Sequence, residues 1–425
     1  MKLNNLIEKN IKKILSIFFI LQPILDVIAA LSLNYLKVEI TLSSITRLLF
    51  LLFCIYYILF MSNKKENKKY MILLLTYFFC FTITVLLKKD THALFYELKN
   101  TLNTFYFPII LISLINMFKQ YKIKIDIKNY VYIYLIYILF IIIPNITHTA
   151  FQSYAHSKTG NIGWFLSANS VGNILSIMLP IIIYYITTEK KQYIIKTLIT
   201  LSTLYIFLNI GTKSPLLSLI ICITTTLVYY ILSWIKNKQH KKLIITITIS
   251  LLSILSIITI IPNTSFYKNI QIHKEYLGIN NYLEVFKDYK LIDHFIFSQR
   301  LTFLTTTSNN YKNADLTQKL FGIGYIEKYG TDEVNTKMVE IDYFDILYRH
   351  GIIGFTIFAY IIIASLEKTK IKNKLLKTEI ETSFMLILLL SLFTGHILNS
   401  PSASIFITTI IICYQGGINE KNYKR

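Results

Sequence analysis

The chain has 425 residues, 54% of them hydrophobic, and a net charge of +21. Its apolar residues come in long runs separated by short basic clusters, the pattern of a polytopic membrane protein, which excludes an ordinary soluble domain. The positive charge is spread over many short loops and not gathered in one basic domain, which excludes nucleic acid as a partner.

A membrane-spanning helix needs roughly 20 mostly apolar residues. About twelve stretches qualify, near 11–34, 42–61, 70–87, 101–118, 129–149, 168–187, 193–210, 214–235, 242–262, 343–365, 380–398 and 401–417. The first is not a cleaved signal: Asn10–Leu33 has no small-x-small site and many spans follow it. The seventh and eighth are parted only by Gly211-Thr212-Lys213-Ser214-Pro215, and the last two by Asn399-Ser400-Pro401. The fold class expected is all-α, with one large loop holding short helices. Residues 1–262 carry nine spans, 263–342 form the loop, and 343–425 carry three more.

Lysine placement gives the orientation. One set of loops carries clusters such as Lys64, Lys65, Lys68 and Lys69, or Lys119, Lys122, Lys124 and Lys128, and ends with Lys421, Lys424 and Arg425. The alternate loops carry only Lys37, Lys88, Lys89, Lys99, Lys158 and Lys213. Both termini are therefore expected in the cytoplasm and the Pro262–Asp342 loop outside. Within it, Asn280–Ile292 and Ser298–Thr307 mix apolar and charged residues as short amphipathic helices do. The cysteines, Cys54, Cys80, Cys222 and Cys413, all lie in apolar runs, where packing is the expected role. Histidines His273, His294, His350 and His396 lack ligand spacing, so no metal site and no cofactor are expected.

Several residues offer chemistry. Glu340 and Asp342 precede the tenth span, where a partly desolvated carboxylate serves as a general base or, as simply, complements a helix N-terminus. Arginine is scarce beside lysine: Arg47, Arg300, Arg349 and Arg425 are the set. That scarcity marks Arg300, Arg47 and Arg349 as places needing a planar fork, which suits phosphate. Asp26 and Arg47 are intramembrane charges, which pair with each other or face a substrate. Lys213, in a turn at a helix start, suits a phosphate contact or a reach to headgroups. Asn169 is a candidate cap for the sixth span, and Trp164 sits where an interfacial aromatic is expected.

Four stretches, in this order, resemble the O-antigen polymerase and O-antigen ligase superfamily, in its Wzy-type capsular-polysaccharide polymerase form. They are Gln22-Pro23-Ile24-Leu25-Asp26; Gly163-Trp164-Phe165 through Asn169; Gly211-Thr212-Lys213-Ser214; and Phe321-Gly322-Ile323-Gly324-Tyr325 through Gly354. The ligase branch has His, a small polar residue, nine residues, Gly, two residues and Gly. Counted back from Gly351 and Gly354, the histidine position is Glu340 and the polar one Ile341, a departure that favours a polymerase. The resemblance implies a GT-C-like membrane fold and a bacterial cell-membrane enzyme. Its donor and acceptor would be undecaprenyl-pyrophosphate-linked oligosaccharides, beside membrane lipids and other polysaccharide-assembly proteins. Resemblance and residues together imply Glu340 and Asp342 as catalytic residues, and Arg300, Lys213 and Arg47 on the pyrophosphate, with Arg349, Asn169 and Asp26 as further candidates. The competing readings are a ligase that moves glycan to another acceptor and a lipid-linked oligosaccharide flippase. Against the flippase stand the large loop and the lack of Gly/Pro-broken spans recurring in both halves.

Overall fold

The computed structural model describes residues 2–38, 41–89, 91–154, 158–326 and 338–420. Their regular structure is helical, apart from two isolated β-bridges. Nine helices lead: α1 (Lys2–Leu31), α2 (Leu42–Tyr56), α3 (Lys65–Lys88), α4 (Thr91–Gln120), α5 (Ile127–Ile146), α6 (Ala168–Thr188), α7 (Tyr193–Asn209), α8 (Lys213–Lys236) and α9 (His240–Ile260). Four shorter ones occupy the loop: α10 (Ser265–Tyr276), α11 (Tyr289–Phe295), α12 (Arg300–Asn313) and α13 (Leu316–Phe321). Three close the chain: α14 (Asp342–Ser365), α15 (Lys374–Phe393) and α16 (Pro401–Ile412).

Every stretch expected to span is helical, and eight of the described helices are long and apolar enough to cross a membrane. Others fall short for visible reasons. Helix α7 has 17 residues, and α16 has 12 before a π-helical turn over Cys413–Gly417 continues it. Helix α15 begins in charge, with Lys374, Lys377, Glu379 and Glu381, and stops at Phe393, so that the expected span to 398 is too long. Thr394–Ser400 is a connection outside the helices.

Two spans form the centre. In α4 and α6, 89% and 78% of the most apolar stretch is enclosed, against 28% in α3 and α8. Helix α15 packs on α6 and α8, and α16 on α4. The outer helices turn bare apolar side chains outward, among them Leu49, Phe79, Leu87 and Leu201. Such a surface is stable only against lipid. Cys54, Cys222 and Cys413 are buried, Cys80 is half-buried, and all four are free thiols, as packing roles require.

The two amphipathic stretches of the loop are helical: a 3-10 turn over Tyr282–Lys287 leads into α11, and Ser298–Thr307 falls in α12 and the turn before it. Helices α10 and α13 were not anticipated. Residues 327–337, inside the Phe321–Gly354 stretch, and the basic C-terminus at 421–425 lie outside the described residues.

The loop's return is fastened to the bundle by a break in α14. Gly351, at φ 67 and ψ −178, interrupts the helix. The carbonyls left without helical partners accept from Ile323 N–H onto Tyr348 (3.0 Å), Gly324 N–H onto Arg349 (3.1 Å) and the Tyr77 hydroxyl onto His350 (3.0 Å). From α4, the fully buried Glu97 accepts from Tyr325 N–H (2.7 and 2.9 Å) and Ile326 N–H (2.8 Å), with Lys89 as its counter-ion at 2.5 Å. A Cβ at Gly351 would meet backbone atoms of Leu320 and Gly322 at 2.4–2.5 Å. Gly351→Ala therefore lowers the melting temperature of the detergent-solubilised protein by several degrees. Gly278→Ala, at φ 64 but facing open space, costs only about 1 kcal/mol.

Candidate functional site

The first turn of α14 carries two buried acids, and each holds a different strand of backbone. Asp342 is fully buried and accepts from the N–H groups of His396 (2.8 Å), Ile397 (3.0 Å) and Leu398 (2.9 Å). Asp345 accepts from Val339 N–H and Glu340 N–H, both at 2.9 Å. Between them these acids set Glu340 against His396. Asp342 was expected among the catalytic residues; here its two carboxylate oxygens accept from three backbone amides. Sequence spacing placed it at the membrane edge without showing which way its carboxylate faces.

Glu340 projects into a tight group. Its Oε2 accepts from Arg300 Nη2 at 2.7 Å, and its Oε1 stands 3.7 Å from His396 Nε2. Arg300 also donates to the carbonyls of Thr394 (3.3 Å) and Phe297 (3.4 Å), while its buried Nε has no partner among the described residues. Arg300 opens α12, whose first turn is capped by the buried Asp293 through Leu301 N–H (2.8 Å) and Thr302 N–H (3.0 Å).

Backbone strain gathers here. Ser298, Gln299, Glu340 and His396 all have φ between 54 and 69, a region that residues with a Cβ rarely adopt. Neighbouring Gly395, at φ 61, lies so close that a Cβ would sit 2.5 Å from the Glu340 carbonyl oxygen. Asn173 of α6 donates to the Gly395 carbonyl at 3.1 Å, tying this corner to the central span. Strain of this kind persists where surroundings over-determine the geometry, as functional sites do.

The electrostatics are lopsided. Burial works to raise the Glu340 carboxyl, but His396 and Arg300 outweigh it and hold it at about 2. Burial works to lower His396, yet Glu340, Asp342 and Asp345 raise it above its ordinary 6.5. Lys158 and Lys213 lie near enough for their charges to act on one another and on His273; Arg300 acts on Lys213 and Tyr154. Burial first, then those two lysines and His294, push His273 down to about 4. Lys213 donates to the Phe295 carbonyl and lies 4.5 Å over the Phe295 ring, whose other stacking partner is His273 at 5.3 Å. None of the ion pairs among the described residues includes Lys158 or Lys213. Lys213 thus lies in electrostatic reach of Lys158 and of Arg300, the residue that pairs with Glu340, so cations outnumber the carboxylate here, which is complementary to an anion.

Other candidates lie elsewhere. Arg47, expected on the same anion, donates to Gln22 (3.1 and 3.2 Å) and Asp26 (2.6 Å), and Tyr137 donates to Asp26 at 3.0 Å. This is the structural ion pair that the sequence offered as one reading. Arg349 is buried and donates to the Gly324 carbonyl at 2.9 Å. Asn169 does not cap α6, because Ser167 does, accepting from Ser170 N–H at 3.4 Å; Asn169 lies one turn before Asn173. His396, Lys158 and Asp345 were not among the sequence candidates. Asp345 had a local signal, lying one turn beyond Asp342; the other two come close only through folding.

The chain matches the family described as O-antigen ligase like membrane protein over residues 8–290 and 280–414. An all-helical membrane protein with a strained, charged corner at one end of its bundle is the class defined by fold and site. The chain belongs to the O-antigen ligase like membrane protein family, and with it to the membrane enzymes of glycan assembly. Neither a curated protein nor a solved structure gives a match.

The Glu340–His396 pair makes stability depend on pH with a definite sign. His396 is raised on folding, so its contribution is full below about 6.5 and is lost as pH rises through the folded value. Glu340 is depressed, so its contribution is full above about 4.3 and is lost as pH falls toward 2. The advantage in melting temperature of the wild type over His396→Asn therefore shrinks as pH rises above about 6.5.

Proposed function

We propose that this protein is a polysaccharide polymerase of the cell membrane. It transfers an undecaprenyl-pyrophosphate-linked glycan onto a second lipid-linked repeat unit. The observation that supports the reading is the Glu340–Arg300 ion pair at this strained corner, with Lys213 in electrostatic reach of Arg300 and of Lys158. A diphosphate diester carries about two negative charges, which this excess of cations matches. The lysine bias puts the corner outside the cytoplasm, with both termini inside.

Held at about 2 by His396 and then Arg300 against its burial, Glu340 is a weak base while both act on it. An arriving diphosphate competes for Arg300. The carboxylate, then held by His396 alone, becomes a stronger base and takes the proton of the acceptor hydroxyl. That oxygen forms its bond to the anomeric carbon. The bond from anomeric carbon to phosphate oxygen breaks, and its electron pair leaves on the diphosphate, whose charge Lys158, Lys213 and Arg300 stabilise. His396 sets the Glu340 carboxylate and shares its charge. Arg47 has no part in this, because Asp26 and Gln22 occupy it.

A second reading has one observation behind it. The ligase pattern wants histidine at 340, and the glutamate found there has His396 against it in space. In that reading the product is finished glycan on a different acceptor.

Gel analysis of the glycan from cells with correctly inserted variants tests both. Glu340→Gln and Arg300→Ala leave single repeat units on the final acceptor; full-length polymer from either would overturn the polymerase. Loss of all attached glycan would favour the ligase. Lys158→Ala, which removes one charge-assisted contact, lowers the rate roughly tenfold to a hundredfold.

A further inference from the structure

At the end of the bundle away from Glu340, a cavity of about 650 Å³ opens between α1, α5, α16 and the turn that joins α4 to α5. Its lining has two characters. Leu15, Phe19 and Ile20 of α1 and Phe406 of α16 give it an apolar wall. Lys12 of α1 and Lys122 and Lys124 of the turn give it a cationic rim.

A lysine-rich loop end is ordinary in membrane proteins, so the lysines alone would say little. Their state says more. In the adjoining cavity, which Lys122 and Lys124 also line, Lys119 and Lys370 both pair with Glu367. Lys12, Lys122 and Lys124 enter none of the ion pairs among the described residues. The carboxylate on the rim, Asp126, is engaged with Lys128 N–H at 3.1 Å, capping α5. The turn is held in place, since Ile125 N–H donates to Gly417 (2.7 Å) and Asn419 N–H donates to Ile125 (2.9 Å). Helices α1 and α5 also carry outward apolar side chains, Ile17 and Leu139 among them, so both elements face lipid.

We propose that this cavity binds one phospholipid with an anionic headgroup. The phosphate sits among Lys12, Lys122 and Lys124, and the upper acyl chain lies along Phe19, Ile20 and Phe406. An apolar wall below a cationic rim matches a phospholipid and fits a free anion poorly, because an anion has no use for the wall. Basic pockets between spanning helices select acidic headgroups in this way. The bound lipid seals α1 against α5 and α16, and this holds whatever reaction the far end performs.

The test uses the full-length protein purified in detergent, with three additions: phosphatidylglycerol, phosphatidylcholine or inorganic phosphate. Phosphatidylglycerol raises the melting temperature by several degrees, and the other two do not. The shift disappears in Lys12→Ser/Lys122→Ser/Lys124→Ser and in Ile20→Trp, which fills the apolar wall without changing charge. It persists in Lys238→Ser/Lys241→Ser/Lys242→Ser, lysines elsewhere in the chain. Native mass spectrometry of the wild type shows one retained anionic lipid, and the first triple variant weakens retention at least about tenfold. An equal shift in both triple variants would mean diffuse attraction and overturn the site. A shift with inorganic phosphate alone would mean a free-anion site and overturn the lipid, as would a wild type that retains no lipid.

Discussion

Two carboxylates at the head of α14, Asp342 and Asp345, hold five backbone N–H groups from two separate segments. Burying an acid is costly unless its oxygens are satisfied. Here the amides and the positive end of the helix offset that cost together. Each bond of this type contributes about 1.5–3 kcal/mol. That is enough to keep Glu340 and His396 in backbone conformations that cost about 1–3 kcal/mol each. Remove the two acids and the segments they join lose their common anchor, so the corner above them has no reason to keep its shape.

The same economy recurs one and two turns further along. The break at Gly351 frees carbonyls that the returning loop uses, and Glu97 of α4 completes the fastening with its own amide contacts. The loop is thus mounted on the bundle through backbone rather than by side-chain packing alone. That suits a site in which Arg300, on the loop, must meet Glu340, at the head of a span, within hydrogen-bond distance. The cationic surplus then needs only Lys158 and Lys213 from the neighbouring turns.

How far the sequence could be read follows from the kind of interaction. Apolar runs report lipid contact directly, so every expected span is a helix. The expected boundary at 398 overran Phe393 because Ile397 and Leu398 resume the apolar run after the chain has turned. The scarcity of arginine pointed to Arg300 and Arg349 alike. It signalled a geometric need in both, but for Arg349 that need is the buried carbonyl of Gly324. Glu340 was reachable through its spacing from Gly351 and Gly354. His396 was not, because it lies 56 residues away and is brought to Glu340 only by folding, with its amide held by Asp342. Lys158 looked like one of several loop lysines, since proximity to Lys213 is a property of the fold.

On the proposed function, Lys158 and Arg300 share one diphosphate and Arg47 does not. Calorimetric titration of the purified protein with farnesyl pyrophosphate, a soluble prenyl diphosphate, tests it most directly. The expected result is binding that weakens at least about tenfold in Lys158→Ala and in Arg300→Ala and stays unchanged in Arg47→Gln. Binding indifferent to Lys158 and Arg300, or lost only in Arg47→Gln, would contradict it.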